Sequence, residues 1–304
     1  MPLSLLVALG ILGSGALLFA AFDDDDDDGD SDDRVTERSG TEDGDFIEGD
    51  DGRDRIDGDD GDDFISGGGG DDTLVGNEGS DLILGDNGDD LIRGNQQGDI
   101  ALGGAGDDTV LGYLGDDYLA GGTGDDLIQG GFGDDLLVGV EGSPVEQSAR
   151  TATFRDEIFS LVDEDAEAGD VSGEGSNDTL DGGAGDDILV LGDGDVATGG
   201  DGADLFVRPV DPGAAGTLAE ITDFDPRTER LALTVRDGDA LFGDVTDPAE
   251  DAAIQVSHPV GTAAPEVTFS EADGDTIVQL DGIGAVRLSG ITGLTGADVA
   301  TIAV

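Results

Sequence analysis

The stretch Gly103-Gly104-Ala105-Gly106-Asp107-Asp108-Thr109-Val110-Leu111 decides the fold. It is one of eleven nonapeptides that follow one another in register from Gly40 to Val138. Position one is Gly and position six is Asp in every copy, and position eight is always apolar, from Ile47 to Leu137. Position two is Gly, Asn or Asp in nine copies, with Thr41 and Tyr113 as exceptions. Position four is Gly in nine, with Asp43 and Gln97 as exceptions. Those residue types tolerate positive φ, so the first half of each unit reads as a tight turn whose carbonyls converge. Positions seven to nine read as a short strand with position eight facing inward. A disordered acidic tract has no reason to keep an Ile/Leu/Val ladder at period nine, interrupted only by the small Ala101.

Two units then make one coil, with a strand on each side and a turn at each end. Stacking the coils brings the Asp of one unit beside the Asp of the unit after next. Two such carboxylates repel unless a cation sits between them. Carboxylates plus backbone carbonyls form an all-oxygen shell that suits Ca²⁺, whereas Mg²⁺ prefers a smaller octahedron and keeps its waters. The pattern Gly-Gly-x-Gly-x-Asp-x-apolar-x resembles the calcium-binding nonapeptide of the RTX (repeats-in-toxin, hemolysin-type) family. The resemblance covers residues 40–138 and 173–207. It implies a parallel β-roll, multiple Ca²⁺ ions between stacked turns, and export through a type I system that reads an uncleaved C-terminal signal. The metal ligands expected on this pattern are Asp45, Asp54, Asp63, Asp72, Asp81, Asp90, Asp99, Asp108, Asp117, Asp126, Asp135, Asp178, Asp187, Asp195 and Asp204. The unit holding Gln97 lacks Gly at position four, and its site is expected to be weak or vacant.

Composition bounds the partners. The chain has 73 acidic residues against 12 basic ones, all Arg, for a formal charge of −61. Nothing here neutralises phosphates, which excludes nucleic acid. Self-repulsion of this size opposes compaction without counter-ions, so metal binding and folding become one process. Sites of modest affinity make sense outside the cell, where calcium is abundant. The absence of Cys fits a metal-stapled exoprotein. With 4% aromatic residues and no Trp, core material must come from aliphatic ladders.

Along the chain, Leu3 to Phe22 carry no charge and are long enough to span a bilayer as a helix. Residues 1–22 read as an anchor or signal segment, the anchor being preferred because no basic residue precedes the apolar run. An N-terminal apolar segment also departs from the type I export pattern. Residues 23–39 read as an acidic linker, 40–138 as the main roll, and 139–172 as an insertion. Within the insertion, Phe154, Ile158, Leu161 and Val162 recur at helical spacing. Residues 173–207 restore the repeat, with one unit a residue short around Asp193 and Asp195. Residues 208–304 read as a β-rich cap domain, with a hairpin turning at Ala272-Asp273-Gly274-Asp275.

The fold class expected is all-β: a parallel β-roll solenoid with an inserted helical loop, a C-terminal β-rich cap and an N-terminal hydrophobic helix. Enzymatic chemistry is not expected. The single His258 belongs to no His-Glu-x-x-His motif, and there is no Gly-x-Ser-x-Gly elbow and no Cys nucleophile. The function expected is that of an extracellular or cell-surface calcium-binding protein, tethered to the membrane through residues 3–22. The alternatives are a structural or adhesive surface protein and, behind it, a secreted hydrolase with an unrecognised site. Side-chain parity adds one expectation. Odd units form one sheet, whose outward positions include Phe46, Phe64, Leu82, Leu84, Ile100, Leu102, Tyr118, Leu136 and Val138, while Arg55, Asp57, Thr73, Arg93, Thr109 and Gln129 interrupt the other. The odd face is expected to be covered, by the 149–166 helix, the C-terminal region, a partner or a second copy.

Overall fold

The computed structural model describes residues 35–139, 177–210, 217–235, 252–258, 264–281 and 283–303. The N-terminal hydrophobic segment, residues 23–34 of the acidic linker and the inserted helix lie outside them. Among the described residues no helix is long and apolar enough to cross a membrane. The one helical element there is a single 3₁₀ turn at Gly296–Asp298.

Two stacked sheets share the chain coil by coil. The first contains β1 (Thr36–Thr41), β3 (Asp54–Asp59), β5 (Thr73–Glu78), β7 (Leu91–Gln96), β9 (Thr109–Leu114), β11 (Leu127–Phe132), β13 (Thr179–Ala184) and β15 (Val196–Asp201). The second contains β2 (Phe46–Glu48), β4 (Phe64–Gly69), β6 (Leu82–Asn87), β8 (Ile100–Ala105), β10 (Tyr118–Thr123), β12 (Leu136–Val138), β14 (Ile188–Val190) and β16 (Leu205–Val210). Each strand pairs in parallel with the strand two further along, so Phe64, Leu82, Ile100, Tyr118 and Leu136 stack at a spacing of eighteen residues, one coil. Most strands run six residues rather than the three expected, because pairing continues into the first positions of the next unit. Thr36–Ser39, assigned to the linker by sequence, already form part of β1 and pair with β3.

The insertion is absorbed without a break in the ladder. Leu136 pairs with Ile188 and Ile188 with Leu205, so the spacing jumps to 52 residues and then drops to 17 across the short unit. The position-eight side chains form the core: Ile56, Ile65, Leu74, Ile83, Ile92, Leu119, Ile128 and Leu137 have no exposed surface.

Beyond Val210 the strands continue the same two sheets rather than building a sheet of their own. β17 (Ala219–Ile221) pairs with β15, and β18 (Arg230–Val235) pairs with β16, both in parallel. β19 (Ile254–His258) and β23 (Val299–Ala303) extend the second sheet. β20 (Val267–Ala272), β21 (Asp275–Leu280) and β22 (Ile283–Leu288) extend the first as an antiparallel meander. The hairpin between β20 and β21 turns at Asp273 (φ 58) and Gly274 (φ 99), the two left-handed residues a tight two-residue turn demands.

The two outer faces differ as parity predicts. Leu84 (6% exposed), Ile100 (1%) and Leu102 (4%) are buried within the single chain and form a second apolar cluster with Tyr118, Ala120 and Val138. No second copy is therefore required to shield them. On the opposite face Arg55, Asp57 and Gln129 are exposed.

Candidate metal centre

Nine consecutive sites, from Asp63 to Asp135, start from a turn with two left-handed residues. Positions two and four take positive φ from the third unit through the eleventh, as at Gly104 (φ 120) and Gly106 (φ 134). Tyr113 (φ 80) and Gln97 (φ 66) are held there too, although an L side chain disfavours it. The stacked coils impose the turn on these two, and in the unit of Gln97 the carboxylate of Asp99 is fully buried like its neighbours.

The turns aim every expected ligand inward. All fifteen aspartates, Asp45 through Asp204, are buried. They line two rows, one at each edge of the roll, joined by one recurring bond: the backbone N–H of each Asp donates to Oδ1 of the Asp one coil further on. Asp54 donates to Asp72 at 2.7 Å, Asp72 to Asp90 at 2.7 Å and Asp90 to Asp108 at 2.8 Å. The rows cross the insertion, with Asp126 donating to Asp178 at 2.9 Å and Asp135 to Asp187 at 2.8 Å. They also cross the short unit, with Asp178 donating to Asp195 at 3.0 Å.

The second carboxylate oxygen is where metal chemistry enters. Oδ2 of Asp63, Asp72, Asp90, Asp108, Asp126, Asp135, Asp178, Asp187 and Asp204 is buried and accepts no hydrogen bond. A buried orphan of that kind is costly, and native structures avoid it. Beside each lies a space that only glycine leaves open. A methyl on Gly67 would collide with Asp72 Oδ2 and lie 2.8 Å from the Gly85 carbonyl oxygen. A methyl on Gly58 would meet Asp63 Oδ2 and the Gly76 carbonyl at 2.9 Å, and one on Gly130 would meet Asp135 Oδ2 and the Gly182 carbonyl at 2.6 Å. Position one is Gly because its missing side chain is the wall of an oxygen-lined cradle. Among the described residues no three carboxylate, imidazole or thiol groups gather at one point. Where a carbonyl lies across the glycine, as at Asp63, Asp72 and Asp135, the cradle pairs a carboxylate with a main-chain carbonyl, a donor set that fits calcium.

Electrostatics agree. Burial, opposed in part by the N–H bond, pushes the carboxyls of Asp63, Asp72, Asp126, Asp135 and Asp187 to about 7. Asp108 is pushed to about 8, and Asp178 to about 9, where burial acts first and the Asp195 charge second. Without a cation these groups hold protons near neutrality, and a cation that replaces the proton restores the anion the cradle is shaped for.

A second row of aspartates, not among the expected ligands, braces the turns. Position-five aspartates form an exposed ladder of opposite sense, in which the Asp accepts from the unit one coil further on. Asp107 N–H donates to Asp89 at 2.9 Å, Asp125 to Asp107 at 2.9 Å and Asp134 to Asp116 at 3.0 Å. The signal was available, since Asp stands at position five in Asp62, Asp71, Asp89, Asp107, Asp116, Asp125 and Asp134.

The family model for the RTX calcium-binding nonapeptide repeat (four copies) matches residues 39–74, 66–101, 75–110, 94–128, 111–144 and 168–196. The roll is thus made of RTX calcium-binding nonapeptide repeats, which span somewhat under half of the chain. Among solved structures, the extracellular lipase LipA from Serratia marcescens is similar at 14% identity over 72% of this chain, with a TM-score of 0.22. The match spans 39% of that lipase's length. No curated protein matches.

Proposed function

We propose that the chain is an extracellular calcium-binding RTX protein whose roll orders when calcium fills the cradles at the Asp turns. The observation that carries this reading is the row of buried, unpartnered Oδ2 atoms, of which those of Asp63, Asp72, Asp90, Asp108, Asp135 and Asp187 face a carbonyl oxygen across a glycine. Bound there, calcium would supply the positive charge that lets successive carboxylates stay ionised side by side. The chain's own residues do the rest: left-handed turns aim the carbonyls, Oδ1 bonds fix each carboxylate, and the aliphatic ladder sets the coil spacing. External calcium concentrations suit sites that combine few charges with many carbonyls. The segment 208–304 closes the C-terminal end of the stack, and the role is binding and structural rather than catalytic.

A second reading, a surface protein that assembles through the hardened roll, is favoured by one feature. Tyr113 (44% exposed), Leu114 (49%) and Phe132 (66%) cluster on successive turns of one edge.

Calcium titration of the full chain, followed by far-UV circular dichroism and sedimentation, tests both. A coil-to-β transition in calcium that magnesium does not reproduce is expected. Equal β content in chelator and in calcium would sink the first reading, and a strictly monomeric calcium form would sink the second.

A further inference from the structure

Three of the fifteen aspartates differ from the others. At Asp72, Asp90 and Asp108, Oδ1 accepts one N–H and Oδ2 accepts none. At Asp45, Asp54 and Asp195, Oδ2 is taken by an N–H of its own turn: Thr41 at 2.6 Å, Asp50 at 2.8 Å and Gly192 at 2.6 Å. The backbone explains the split. In the open turns the second residue is left-handed, as at Gly68 (φ 101), Asp86 (φ 77) and Gly104 (φ 120), and its N–H does not reach the carboxylate. Thr41, Asp50 and Gly192 are not left-handed, and their N–H groups point into the space where a cation would approach. A metal ion and an inward N–H dipole repel each other at that oxygen.

At two of the three closed turns a guanidinium supplies the positive charge instead. Arg38 bonds Oδ1 of the fully buried Asp54 and reaches Asp50 Oδ2 at 3.2 Å. Arg208, whose side chain is 9% exposed, bonds Asp193 Oδ1 and the Leu191 carbonyl at 3.0 Å, inside the short unit that ends in Asp195. At Asp45, in the first turn, the N–H and hydroxyl of Thr41 take Oδ2, while Oδ1 is buried and accepts no hydrogen bond.

We infer that Arg38 and Arg208 are resident cations that bound the calcium row. Asp54 and Asp195 are held by guanidinium charge and turn N–H groups, and calcium is confined to the open turns. This rests on the calcium reading above and specifies which carboxylates take metal. Asp195 is the demanding case. A methyl on Gly139 would lie 2.7 Å from its Oδ2 and 3.0 Å from the unpartnered Oδ2 of Asp178, so both carboxylates face one space.

The test counts calcium bound per full-length chain by elemental analysis after dialysis against excess calcium, with circular dichroism confirming the fold. Asp108→Asn should lose calcium, whereas Asp54→Asn and Asp195→Asn should keep the wild-type count. Loss of one ion at Asp54→Asn overturns the inference for that coil. Loss at Asp195→Asn overturns it there and assigns Asp195 to a site shared with Asp178. Arg208→Gln should raise the calcium midpoint of folding severalfold and Arg208→Lys should restore most of it. A wild-type midpoint in Arg208→Gln removes the resident-cation role. If Asp108→Asn also leaves the count unchanged, the calcium reading itself has failed, which is a separate result.

Discussion

In the roll, each nine-residue unit contributes one inward aliphatic side chain and one buried carboxylate, Ile92 and Asp90 for example. In the strands from β17 to β23 the same two sheets are filled differently. Phe224, Leu231, Leu233, Ile254, Val256, Val278, Val286 and Leu288 are buried together. The one buried acid there among the described residues, Glu229, accepts a bond from the Asp225 N–H at 2.9 Å. A fully buried aliphatic side chain contributes about 1.5–3 kcal/mol, and ordering one residue costs about 1–2 kcal/mol of backbone entropy. In the first sheet's units one aliphatic residue in nine is thin cover, so that side of the roll leans on its turns and on whatever neutralises them. The C-terminal strands bury a denser apolar set with one buried acid among the described residues, and are expected to need less such help. Sheet continuity therefore does not imply a shared source of stability.

The largest expected effect follows from that contrast. Hydrogen exchange in chelator should show amides of β5, β7 and β9 exchanging near the unfolded rate while β18, β19, β21 and β22 stay protected. Calcium should restore protection to the first group only. Loss of protection in both regions together would break the comparison.

A glycine pair sharpens it at single residues. Gly67→Ala places a methyl against Asp72 Oδ2 and 2.8 Å from the Gly85 carbonyl, so it should raise the calcium midpoint of the roll markedly. Gly296→Ala meets nothing within 4 Å and should change stability by no more than about 0.5 kcal/mol. Denaturant melts in calcium decide it, and similar shifts for the two would discredit the cradle.

The smallest effect is that of pH. Burial raises the metal-free folded carboxyls of Asp63, Asp72 and Asp126 from 3.8 to about 7. The folded apo state therefore binds more protons than the unfolded state between those values. By linkage the apo roll gains stability as pH falls through about 7 towards about 4, and loses it as pH rises. Protons compete with metal for the same oxygens, so the calcium midpoint should move the other way and rise as pH falls. Circular dichroism in chelator at pH 5 and pH 8, beside calcium titrations at both, checks the two signs. More apo β structure at pH 8 than at pH 5 would contradict the burial account.

Much of the roll was legible because a nine-residue period leaves few choices. Gly at position one, Asp at six and an aliphatic at eight fixed the turn, the inward carboxylate and the ladder, and even Tyr113 and Gln97 follow the left-handed path their neighbours require. The Asp273-Gly274 hairpin was legible for a similar local reason. Legibility ended where spacing became irregular. Composition set residues 208–304 apart, yet their strands join the roll's sheets, because an open solenoid end offers unpaired N–H and C=O groups that the next strand satisfies.

By itself the sequence determined the coil, the identity of the inward side chains and the rows of carboxylates, since each follows from residue type and period within a few positions. Only the tertiary structure decided which of those carboxylates are open. That depends on whether a turn N–H closes onto Asp54 or Asp195, and on Arg38 reaching Asp54 and Arg208 reaching Asp193 from another coil. The arginine contacts join residues twelve to sixteen positions apart and leave no mark in a local pattern, and the φ that turns an N–H onto its own Asp is imposed by the stack, so the same Asp code reads alike at open and closed turns.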